Sequence, residues 1–156
     1  MKLIAFSRII WVGGVGVRRQ EHSTKGAFVF TADQLVAHAV GDYLLQNDWM
    51  ARHKGGSHLA ALTHVFFYSL PFLFLTQNPL TLVVIAGTHF AIDRWRLARF
   101  LIWGWSRIFP GGRPWNECSK TGHPPDLPDY MARWLLIIVD QIMHILINGA
   151  ALAWIG

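Results

Sequence analysis

Cysteine, charge and acidic side chains are all scarce in this chain of 156 residues. The single cysteine, Cys118, excludes an internal disulfide and a cysteine-rich zinc site, and its polar surroundings predict a free surface thiol. Charged residues make up only 15%, against about 25% in an ordinary soluble domain. Hydrophobic residues reach 53% and the mean hydropathy is positive, a composition suited to lipid. The charge balance is basic, with 14 Lys and Arg against 9 Asp and Glu. No five like charges run together, so no nucleic-acid patch is expected. Anionic headgroups and positive-inside loops account for the basicity.

Two further signals are missing. Met1 to Val17 is interrupted by Arg8 and lacks a small-x-small cleavage site, so it does not read as a secretory leader. Gly13-Gly14-Val-Gly16 lacks the spacing and strand–helix setting of a dinucleotide fingerprint. Residues 1–27 read as an N-terminal arm or interfacial helix, and 28–156 as one membrane domain.

What is abundant is apolar sequence of helical length. Four helices are expected, over 28–46, 59–76, about 80–103 and about 129–155. Asn47 to Ser57 reads as a polar loop, with Gly55-Gly56 as helix breakers. Pro71 is expected to kink the second helix. Residues 104–129 read as a long Gly/Pro-rich loop, and Pro128-Asp129 suits a helix start. The predicted fold class is therefore all-α, a polytopic membrane protein of about four transmembrane helices bundled around a buried His/Asp cluster. Arg52, Lys54, Arg107, Arg113 and Lys120 mark the cytoplasmic side. Arg18, Arg19 and Lys25 run against that topology, and the first helix is read as spanning, shallow or re-entrant.

Each apolar segment carries polar residues at helical spacing. Gln34, His38, Asp42 and Gln46 recur every four residues, and the His/Asp pair returns as His89–Asp93 and, reversed, Asp140–His144. Residues four apart share one helix face. An ionisable group at bilayer depth costs about 2.5–3.5 kcal/mol. Seven of them, counting His64, would exceed a domain's whole stability of about 5–15 kcal/mol if left unpaired. They must satisfy one another, a metal or trapped water.

Imidazole with carboxylate suits zinc, manganese or iron, and a four-residue spacing lets one helix supply two ligands. His38, Asp42, His89, Asp93, Asp140 and His144 are the candidate metal ligands. His64 is the candidate catalytic residue, as general base, with a ligand role also open. Gln34, Gln46 and Gln141 are candidates to orient the ligands. A water acidified by the metal would be a hydrolytic nucleophile. His22, His53, His58 and His123 read as solvated loop residues. Arg94, Arg96 and Arg99 read as orientation anchors, with a lipid-phosphate grip as the other reading.

The ordered motifs His38-x-x-Gly-Asp42-x-x-Leu-Gln46-x-x-x-Met50, His64, His89-x-x-Ile-Asp93 and Asp140-Gln141-x-x-His144 resemble domain-of-unknown-function family 3307, over about residues 30–155. Pro124-Pro125-Asp126 resembles its phage-type members. The resemblance implies a small multi-pass protein of the bacterial inner membrane and brings no activity with it. A more distant similarity is to membrane-bound metal-dependent hydrolases. Three functions stay open: a metal-dependent hydrolase acting on a lipid or lipid-linked phosphoester, a non-enzymatic phage or host-interaction factor with structural His/Asp pairs, and a proton- or ion-conducting oligomer. The expected partners are membrane lipids, a second copy of the chain or a host membrane protein.

Overall fold

A computed structural model describes residues 31–156, which form helices and no strand. The expected arm over 1–27, with His22, lies outside the described residues. Helix α1 (Ala32–Ala39) starts at Thr31, whose side chain accepts from the Gln34 amide, and passes into a π-turn over Val40–Leu44. Asn47, Ser57 and Asn78 cap α2 (Asp48–His53), α3 (His58–Ser69) and α4 (Pro79–Trp95) in the same way. Each such cap contributes about 1 kcal/mol. Helices α5 (Ala98–Arg107), α6 (Trp115–Cys118) and α7 (Asp129–Trp154) complete the chain. Helix α4 packs between α3 and α7, while α1 and α5 lie against α7.

The local breaks correct several sequence expectations. The 47–57 loop contains α2, because Asn47 supplies a helix cap. The second helix tightens into a 3-10 turn at Leu70–Phe74, with Pro71 in its first turn. The third helix does not run to Trp103, because Arg96 adopts the left-handed conformation at φ 51°. There the Arg96 amide bonds Asp93 O and the Leu97 amide bonds Ile92 O at 3.0 Å, the paired closure that usually takes glycine. The long loop is shorter than expected and carries α6, which folds back through Phe100–Trp115 stacking at 4.5 Å. That packing buries Cys118 to 2% exposure, so it is not the surface thiol its polar neighbours suggest.

These breaks also shorten the expected spans. Among the described residues only α7, at 26 residues, is long and apolar enough to cross a bilayer. His58–Phe74 is apolar but short, and α4 has 17 residues, the lower limit for a span of about 20 residues. Four full spans are therefore not supported.

Among the described residues an apolar core around Tyr68, Phe72 and Ile85 adjoins a buried polar centre, and many large apolar side chains are exposed. Gln34, His38, Asp42, His64, Thr81, His89, Asp93, His144 and Asn148 are all buried. Phe66, Phe74, Leu80, Val83, Ile138 and Ile142 are exposed, Phe74 to 92%. Soluble domains rarely bury ionisable groups in such number or expose so much contiguous apolar surface.

Candidate metal centre

Three elements supply the four donors of the polar centre. His89 and Asp93 leave one face of an unbroken stretch of α4, and His64 projects from the middle of α3. Asp42 comes from the π-turn over Val40–Leu44 that follows α1. Gly41, in the same turn, lets α1 approach α3 closely. A Cβ there would lie 2.7 Å from the Tyr68 carbonyl oxygen.

One ligand atom each from Asp42, His64, His89 and Asp93 lies within 4.8 Å of all the others. His64 Nε2 is 3.1 Å from Asp42 Oδ1 and 3.2 Å from Asp93 Oδ2. His89 Nε2 is 3.1 Å from Asp93 Oδ2 and 3.9 Å from Asp42 Oδ1. The two Nε2 atoms are 2.9 Å apart. Tetrahedral zinc, with bonds of about 2.0–2.1 Å, separates its ligands by about 3.3 Å. The observed separations bracket that value.

Hydrogen bonding alone does not account for this crowding. An imidazole Nε2 offers a single in-plane valence, either one N–H or one lone pair. His64 Nε2 nonetheless has Asp42, Asp93, His89 and Lys54 atoms all within 3.4 Å. Asp93 Oδ2 likewise has three nitrogens within 3.2 Å, those of Lys54, His64 and His89. One feature departs from the usual metal site, where the second imidazole nitrogen donates to an acceptor: Nδ1 of His64 and of His89 are buried without a partner. The His89 ring is held instead by stacking on Tyr68, with centroids 3.5 Å apart.

Lys54 is the member that sequence reasoning missed. Its ammonium lies 2.9 Å from Asp93 Oδ2 and 3.5 Å from Asp42 Oδ1. Burial works to lower its pKa, but Asp93 and Asp42 outweigh burial and hold it above the ordinary lysine value. Its only sequence signal is the Gly55-Gly56 pair that follows it, and a lysine in a polar loop ordinarily points to solvent.

Around the centre runs a directed set of hydrogen bonds. Asn148 donates to Tyr68 Oη at 2.6 Å, and Tyr68 meets His38 Nδ1 at 2.9 Å. His38 Nε2 meets Gln141 Oε1 at 2.7 Å, and Gln141 Nε2 donates to Asp42 Oδ2 at 2.6 Å. The Gln141 carbonyl only accepts, so His38 carries its proton on Nε2 and the Tyr68 hydroxyl donates to Nδ1. His38 therefore stands one side chain away from the four converging donors, and Gln141 orients Asp42.

The other candidates fall elsewhere. His64 sits among the donors and not a step outside them. Asp140 and His144 form a neighbouring group with Asp93, their ligand atoms also within 4.8 Å. His144 Nδ1 donates to the Asp140 carbonyl at 2.8 Å, leaving Nε2 buried without a partner. Gln34 donates to Ile145 O at 2.6 Å and ties α1 to α7, while Gln46 Oε1 has no hydrogen-bond partner. Arg94 and Arg99 each hold a loop carbonyl, Gly55 O and Ser119 O, at 3.0 Å. His53 and His58 are exposed, whereas His123 is half-buried.

No curated protein and no solved structure matches this chain. One family model, described as "Protein of unknown function (DUF3307)", matches residues 29–154. That match takes in every helix and every residue of the polar centre, and the chain belongs to this family.

Proposed function

We propose that the protein is a membrane-embedded, metal-dependent hydrolase that acts on a lipid or lipid-linked phosphoester at the membrane surface. The observation that carries this reading is the convergence of two imidazole nitrogens and two carboxylate oxygens at one buried point. Asp42, His64, His89 and Asp93 would hold a divalent ion, with zinc, manganese and iron all suited to that donor set. Such an ion supplies Lewis acidity and lowers the pKa of a bound water. Gln141 and His38 then fix the Asp42 carboxylate. The apolar exterior and the length of α7 support a bacterial inner-membrane location, with α3 and α4 inserted beside α7 as shorter elements.

Elemental analysis of detergent-purified protein, with a melt before and after chelation, tests this reading. Near one equivalent of zinc, manganese or iron is expected, with a lower melting temperature after chelation. Absence of all three metals, with a melt indifferent to chelator, would sink it.

One observation favours a second reading. Lys54 already pairs with both carboxylates, and a self-neutralised polar core would serve a non-enzymatic membrane factor by locking helices together. Asp93→Asn keeps size and hydrogen bonding. It would leave such a factor's function intact and would disable a metal centre.

A further inference from the structure

Lys54 has a position that helix locking does not require. Among Asp42, His64, His89, Asp93 and Lys54, only the Lys54 side chain reaches solvent, at 20% exposure against at most 3% for the others. It enters from the end of α2, and Gly55-Gly56 follow it directly. Its ammonium lies 2.9 Å from Asp93 Oδ2, 3.4 Å from His64 Nε2 and 3.5 Å from Asp42 Oδ1. It therefore caps one triangular face of the four-donor set.

For an ion about 2.0–2.1 Å from each donor, this position puts the ammonium about 3.3 Å from the ion. No water or substrate oxygen fits between them. With four protein donors, a substrate oxygen would have to enter as a fifth ligand, and the face covered by Lys54, the one member of the set with solvent exposure, is where it would enter. An incoming ligand has to meet the ammonium first, which selects for negative charge.

We propose that Lys54 is the gate and anion-binding residue of this centre, leaving the Asp42–Asp93 face when a divalent ion binds and pairing with a phosphoryl oxygen at the fifth position. This rests on the metal-centre reading above. The ammonium and the ion compete for the same two carboxylates, so each weakens the other's hold until an anion separates them.

Calorimetry on wild type, Lys54→Met and Lys54→Arg in nanodiscs tests it, with zinc alone and then with inorganic phosphate or phosphatidic acid added to the zinc-loaded protein. Lys54→Met is expected to bind zinc at least about threefold tighter and to lose about tenfold or more in anion affinity. Lys54→Arg, which keeps the charge, is expected to retain anion binding and to show that the position tolerates substitution. Binding of phosphatidic acid alone would assign the anion to a lipid headgroup, and binding of inorganic phosphate to the free ion. Equal zinc and anion affinities in wild type and Lys54→Met would overturn the proposal while leaving the metal centre standing. Failure of every variant and the wild type to bind zinc would instead overturn the metal centre itself.

Discussion

His64 Nε2 and His89 Nε2 face each other across 2.9 Å, one from α3 and the other from α4. Each nitrogen also has Asp93 Oδ2 within 3.2 Å. Two imidazoles and a carboxylate from two helices thus share one small volume, and whatever fills it fastens α3 to α4. A divalent ion held by these donors would do this, and a hydrogen-bonded network of the same groups would do it without one.

Asp93 meets both imidazoles of the centre and the Lys54 ammonium. Asp93→Asn is expected to lower zinc affinity by about 100-fold or more, since it removes the ligand's charge and leaves an amide nitrogen or a weaker oxygen in its place. Competition titration against a zinc chelator reads this directly. Unchanged affinity would place the ion elsewhere.

Gln141 and Gln46 make a matched pair of tests. Gln141 donates to Asp42 at 2.6 Å, so Gln141→Leu is expected to weaken metal binding by about 10–100-fold without unfolding the protein. Gln46 Oε1 has no hydrogen-bond partner, and Gln46→Leu is expected to leave affinity within about twofold of wild type. The same titration measures both, and equal losses would mean that Asp42 needs no positioning.

Gly41 and Gly87 separate packing from helix propensity. A Cβ at Gly41 would meet Tyr68 Cδ2 at 2.8 Å, while one at Gly87 meets nothing within 4 Å. Gly41→Ala is expected to destabilise by about 1–3 kcal/mol through overpacking. Gly87→Ala is expected to be neutral or to stabilise by up to about 1 kcal/mol, as alanine suits a helix better. Thermal melts in one detergent compare them, and equal shifts would refute the close α1–α3 approach.

Membrane insertion has its own test. With α7 crossing the bilayer, a topology reporter fused near Gly111 and one fused after Gly156 are expected on opposite faces. Both fusions on one face would mean that α7 lies along the surface. Retention in the membrane fraction after alkaline carbonate washing checks insertion independently.

Much of the architecture was legible because it depends on local periodicity. Helix α7 appears almost residue for residue where Pro128-Asp129 and the apolar run place it. His89–Asp93 works as a pair because α4 is regular between them. His38–Asp42, at the same spacing, is bridged by Gln141 and does not join at one point, and nothing in Val40-Gly-Asp-Tyr-Leu44 announces the π-turn that carries Asp42. The left-handed Arg96 was equally hidden, since glycine is the residue expected at such a stop. Both breaks are held by contacts with other helices and loops: Gly41 against Tyr68, and Arg96 reaching the Lys120 carbonyl.

The sequence by itself determined that the chain is helical, apolar and obliged to pair the imidazoles and carboxylates of its apolar segments. Composition and four-residue spacing are local properties, and the cost of an unpaired charge in a low-dielectric interior does not depend on the fold. Only the tertiary structure decided which groups meet. It brought Asp42, His64, His89 and Asp93 to one point, set His38 two hydrogen bonds further out through Gln141, and added Lys54 from a stretch that reads as solvent-facing. Those choices follow from helix rotation and loop closure, which couple residues 51 positions apart between Asp42 and Asp93 and 103 apart between His38 and Gln141, and no local pattern encodes a coupling at that range.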